Sequence, residues 1–245
     1  MKVRALSIQI ITAKEDFGFS CEFKVGLNII RGNNTTGKST LMKTMFYCLG
    51  MEEILGGKNE KTLPYALKEY LEDEEKNRIA VVQSRVLMEV ENSEREIKTF
   101  CRSIKSKDKS SKLIEIINGP YLTSKDYNLT SQATYVHDAG SAQEKESGFF
   151  RYLESYIGIE LPDVPSTDSG EVKLYIQTIF SALFIEQKRG WTDYIANTPY
   201  FRIRNVKTKI IQYLLGLDVF ENERQKNKLA VAIGEVQKEW EGEKI

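Results

Sequence analysis

Eight consecutive residues, Gly32-Asn33-Asn34-Thr35-Thr36-Gly37-Lys38-Ser39, fit the pattern G-x-x-x-x-G-K-[ST]. Their chemistry is phosphate binding. Glycines let the backbone approach an anion closely, successive N–H groups turn inward between a strand and a helix, and the positive end of the helix adds attraction. In that arrangement Lys38 reaches the β- and γ-phosphates as a point charge, and the Ser39 hydroxyl ligates the Mg²⁺ that bridges them. Gly32, Asn33, Asn34, Thr35, Thr36, Gly37, Lys38, Ser39 and Thr40 are therefore expected to hold ATP with Mg²⁺.

The elements that must position this loop are legible in its flanks. Leu27-Asn28-Ile29-Ile30 reads as a buried strand before it, and residues 40–49 read as a helix after it. Residues 2–11 and 17–23 have strand composition, with Lys24-Val25-Gly26 turning the chain. Beyond the loop a helix is expected over 63–76 with Pro64 in its first turn, then three extended stretches, 79–90, 95–104 and 112–117, forming an antiparallel layer. Residues 121–145 read as a loop or insertion and 146–157 as a short amphipathic helix, while Pro162 and Pro165 mark a linker. The apolar run 172–185 ends abruptly at Glu186-Gln187-Lys188-Arg189-Gly190-Trp191. Residues 206–215 are helical by pattern, and from 219 to 245 the chain is proline-free and rich in Glu, Lys and Gln. There Leu229, Ile233, Val236 and Trp240 alternate spacings of four, three and four, the seam of a coiled coil; an amphipathic helix docked on the body is the other reading.

Composition bounds the partners. With 245 residues and 41% apolar, the chain can pack a substantial core, and a soluble globular protein is expected. Lys plus Arg equals Asp plus Glu at 35 each, so any polyanion must be met by a local patch. The basic candidates are Lys98, Arg102, Lys105, Lys107, Lys109 and Lys112, around a turn between strands, where phosphate contacts would give sequence-independent DNA binding; a solvated hairpin tip is the plainer reading. Lys188, Arg189, Arg202, Arg204, Lys207 and Lys209 are weighed in the same way, and the lone His137 reads as solvated. Cys21, Cys48 and Cys101 form no C-x-x-C pair, which argues against a zinc site or a disulfide framework. No apolar run is long enough to cross a bilayer, so a cytoplasmic location is expected.

The order of these features resembles the N-terminal lobe of an SMC-like ABC ATPase head, and is most similar to SbcC-type repair ATPases. The strand pair, G-x-N-x-x-G-K-S, the β-rich insertion, the glutamine ending an apolar segment, Leu215-Gly216-Leu217-Asp218 and the coiled coil carry the likeness, chiefly over residues 1–50 and 174–245. The resemblance implies an α/β fold: a mixed sheet around the P-loop helix, an antiparallel β layer and a C-terminal coiled-coil helix. It divides the chain into a lobe over 1–218 and the start of an arm over 219–245. It also implies that Gln187 is the Q-loop glutamine touching Mg²⁺ and the attacking water, and that Lys14 sits where repair ATPases commonly have an arginine near the nucleotide. Thr35 departs from the family, which has glycine there. Neither an apolar strand ending in Asp-Glu nor a Ser-Gly signature loop is found in the sequence. The resemblance therefore implies half a site, on a fragment cut just after the coiled coil begins, completed by a C-terminal lobe and a second head, as in a homodimer. ATP would join the heads, in DNA repair, chromosome maintenance or anti-phage defence. The alternatives are a nucleotide-sensing ATPase module working with a nuclease subunit, and a P-loop kinase of small molecules.

Overall fold

The computed structural model describes residues 1–242 except Thr35, Glu74, Lys125, 137–147, Ser169, 186–194, Ala196 and Asp218. Within the last helix only the backbone is described at 223, 224, 227, 228, 231, 235, 241 and 242. The chain divides into two units, Met1–Ile159 and Glu160–Ile245.

The first unit is built on an antiparallel sheet. Its strands are β1 (Lys2–Thr12), β2 (Asp16–Glu22), β3 (Tyr70–Glu72), β4 (Arg78–Glu91), β5 (Ile97–Lys105), β6 (Leu113–Ile117) and β7 (Ser131–Tyr135). They run in the order β2-β1-β4-β5-β6-β7, with β3 paired to the start of β4. Every described pairing is antiparallel, so the sheet is not the mixed one expected around the P-loop helix. Period-two alternation sorts the side chains: Met88, Phe100 and Ile116 lie opposite one another on one face, and Leu87 and Cys101 pair on the other.

Two helices serve the first of these faces. Helix α1 (Lys38–Cys48) buries Tyr47 and Cys48, whose Sγ donates to the Phe100 carbonyl. Burial pushes the Cys48 thiol well above its ordinary pKa, which makes it an inert packing group. Helix α2 (Phe149–Ile157) brings Phe149 edge-on to Phe100, with ring centroids 5.2 Å apart, and Tyr156 Oη donates to the Glu96 carbonyl. The other face carries a core of Leu87, Cys101 and Ile117 packed by Tyr121, Leu122 and Leu129. Glu89 pins that covering segment: its fully buried carboxylate accepts from the N–H groups of Leu122 and Thr123, from Thr123 Oγ1 and from Arg4 Nε.

Three expectations are corrected here. Residues 63–76 are not a helix but a 3₁₀ turn, Tyr65–Leu67, followed by β3. Asp73 closes the β3–β4 turn by accepting from the N–H groups of Glu75 and Asn77, while Tyr70 stacks on Tyr65 and lies beneath the Arg78 guanidinium. Tertiary pairing thus overrides the helical start suggested by Pro64. The polar stretch 121–145 contains β7, an edge strand whose exposed faces leave no apolar signature. Leu27-Asn28-Ile29-Ile30 is no strand: the segment is irregular, with Val25 90%, Leu27 89% and Ile29 79% exposed.

The second unit contains β8 (Asp163–Pro165), β9 (Glu171–Lys173), α3 (Ile176–Ser181), α4 (Val206–Leu214) and α5 (Phe220–Gly242). The β8–β9 hairpin is extended by Ser166 pairing with Ile203. On α5, Leu229, Ile233, Val236 and Trp240 are each more than half exposed, so the apolar stripe is not buried on the body of this chain. Among the described residues no helix is long and apolar enough to cross a membrane.

Candidate functional site

The loop at residues 32–39 leads directly into α1, and its sequence explains its shape. Gly37 caps the helix in the left-handed region, with φ 89° and ψ 8°, a conformation that carries steric cost for any other residue. Gly32 is constrained by space: a Cβ there would lie 2.7 Å from Thr36 Oγ1. Thr36 Oγ1 in turn donates to the Asn33 carbonyl at 2.8 Å, which ties the loop across itself.

Lys38 folds back over this ring. Its ammonium donates to the carbonyls of Gly32, at 2.8 Å, and Asn33, at 2.5 Å. The cation is therefore held inside the loop, where a phosphate oxygen can be reached from the same position. Ser39 and Thr40 lie in the first turn of α1, whose first intrahelical bond runs from the Leu41 N–H to the Gly37 carbonyl. No side-chain cap bonds to this end of the helix, and no acidic residue lies in its first turn. Its N–H groups and partial positive charge face an exposed loop. Lys38, the Ser39 hydroxyl and the backbone thus fit a magnesium-bound polyphosphate: one fixed cation, one hydroxyl oxygen suited to a hard metal, and a glycine at each close approach.

A family model described as an AAA domain matches residues 9–241. The chain belongs to the AAA domain family. An AAA domain is an ATPase module that generally uses ATP and Mg²⁺, in agreement with the donors found at the loop. Comparison with curated proteins and with solved structures found no match.

The other sequence candidates are distributed differently. Gln187 and Thr35 lie outside the described residues, as do His137, Lys188, Arg189 and Trp191. Lys14 lies in the β1–β2 turn. The Asn77 backbone N–H, foremost, and the Lys14 charge as a lesser cause hold the Asp73 carboxyl below the usual range.

The basic cluster is not a single patch. Arg102 is wholly buried in an ion pair with Glu52, and so is withdrawn from any surface. Lys98 pairs with Glu96 and Asn118, Lys105 donates to the Val81 carbonyl, and Lys109 pairs with Glu115. Lys107 and Lys112 are the exposed members that no such pairing engages in the described bonds. In the second unit Arg202 pairs with Asp168, and Lys209 is buried beside Gln212.

Sequence reasoning missed the role of Arg102. A signal existed: Arg102 alternates with Phe100 and Ile104 on β5, so it shares their inward face.

Proposed function

We propose that this AAA-family chain is the nucleotide-binding N-terminal lobe of an SMC-like, DNA-associated ATPase, hydrolysing ATP when a second lobe and a second head complete the site. The observation that carries the reading is the stretch 25–30. Four strand-forming side chains, Val25, Leu27, Ile29 and Ile30, stand exposed immediately before the phosphate loop. Burying one such side chain contributes about 1.5–3 kcal/mol, so a neighbouring strand supplied by further polypeptide has a large gain available here.

The chemistry then divides between the parts. Lys38 and the loop N–H groups bind and orient the triphosphate, Ser39 offers a metal ligand, and Gln187 orients the attacking water. The exposed stripe of α5 supports a helical partner and an arm. Engagement of two heads over ATP, with hydrolysis as the timer, would move those arms or DNA lying between them.

The test is a completed head, with ATP-dependent dimerisation followed by sedimentation. Dimers that form with Mg·ATP and dissociate after hydrolysis are expected; a head that stays monomeric at saturating ATP rejects the reading. In that head Gln187→Ala is expected to leave ATP affinity within about twofold while lowering hydrolysis at least about tenfold, because it removes a group that positions water and not the phosphates. Steady-state turnover beside equilibrium titration checks this split.

A further inference from the structure

The loop end of α1 is exposed, whereas its last turn is gripped by one side chain arriving from the sheet. Arg102 leaves β5 on the face that α1 covers, and its guanidinium is completely buried. Nη1 donates to the Tyr47 carbonyl in the final turn of α1. Nη1 and Nη2 meet both carboxylate oxygens of Glu52 at 2.9 and 3.0 Å. Nε donates to the Ser111 carbonyl at 2.6 Å, and the guanidinium lies 3.9 Å from the Tyr47 ring centroid. Tyr47 Oη completes the set by donating to the Ser103 carbonyl at 2.6 Å.

Such a group is an expensive way to fill a core position. Removing two charges from water costs several kcal/mol per ion, and a well-packed apolar pair of similar volume is often as stable or more so. Stability alone therefore does not account for it. What an arginine adds is fixed geometry, because its planar fork sets the directions of several bonds at once. Here those bonds join the end of α1, the turn carrying Glu52 and the turn between β5 and β6.

We propose that Arg102 is a positioning residue for the phosphate loop, acting through the axis of α1. A helix of 11 residues is a rod about 16 Å long, and a bond that fixes its last turn helps to set its axis. Leu41, Thr44, Tyr47 and Cys48 seat it along one buried stripe, while Ser39, Met42 and Lys43 are exposed. The Arg102 clamp therefore sets the direction in which Lys38 and the first-turn N–H groups meet a polyphosphate. This inference rests on the reading of residues 32–39 as a nucleotide site.

The test removes both charges together, as Arg102→Met with Glu52→Gln. Glutamine retains an oxygen for the Asn59 N–H, which now donates to Glu52 at 3.1 Å, and its amide offers donors to the carbonyls that Arg102 served. Thermal melting and Mg·ATP titration of the full chain are run in parallel with wild type. The double variant is expected to melt cooperatively near wild type and to bind ATP about tenfold more weakly, the scale of losses seen when supporting partners of a binding shell are removed. A folded double variant with wild-type affinity overturns the positioning role.

Should the double variant fail to fold, Arg102→Lys decides. Lysine can keep a charge beside Glu52 but cannot span the Tyr47 and Ser111 carbonyls as well. Weaker ATP binding by a folded lysine variant is expected, and unchanged affinity overturns the proposal. Failure of the wild-type chain itself to bind ATP would reject the nucleotide reading, which is separable from normal wild-type binding that the variants leave untouched.

Discussion

Replacing Lys38 with alanine is expected to lower the affinity for Mg·ATP about a hundredfold. The charge-assisted bonds of an ammonium to phosphate oxygens contribute about 1.5–3 kcal/mol, and each 1.4 kcal/mol is a factor of ten. The fold should be unaffected, because the partners that Lys38 holds in the structure are two carbonyls of an exposed loop. Lys38→Arg is not expected to rescue binding, since a planar fork cannot occupy the space of a point charge inside a ring this small. Isothermal titration of both variants checks the prediction. Affinity in Lys38→Ala equal to wild type rejects the phosphate role.

The second large effect is on stability. Arg102→Ala removes the guanidinium that neutralises the completely buried Glu52 carboxylate, whose Asn59 N–H bond remains, and leaves the Tyr47 and Ser111 carbonyls short of a donor. Breaking a buried pair from one side costs about 3–5 kcal/mol. Adding Glu52→Gln should recover much of that loss, since the uncompensated charge then disappears. Urea denaturation of the single and double variants measures the difference. A loss below about 1 kcal/mol for Arg102→Ala contradicts the account, because it would mean the pair is solvated.

Much of this was legible because local pattern and tertiary structure agree. The loop motif carries its own mechanism, and the apolar, β-branched composition of β1, β4 and β5 marks them as strands. Helices α2, α4 and α5 follow from periodicity. The misreadings have distinct physical causes. Apolar residues 27–30 look like a core strand, but composition does not supply a partner, and in the structure the segment lies outside the sheet. Tyr70 and its neighbours read as helix in the sequence because the β3–β4 pairing depends on contacts with residues 78–80, beyond any local window. Edge strand β7 is polar on both faces and so is silent in hydropathy. Arg102 reads as surface charge because arginine is rarely buried, although its place between Phe100 and Ile104 points inward.

The nucleotide reading places a magnesium-bound triphosphate on one loop and the first turn of one helix. Amide correlation spectra of the wild-type chain, recorded while Mg·ATP is added, test it most directly. Saturable shifts concentrated at Gly32, Asn33, Gly37, Lys38, Ser39 and Thr40 are predicted. Saturable shifts elsewhere, with these six amides unmoved, would contradict it.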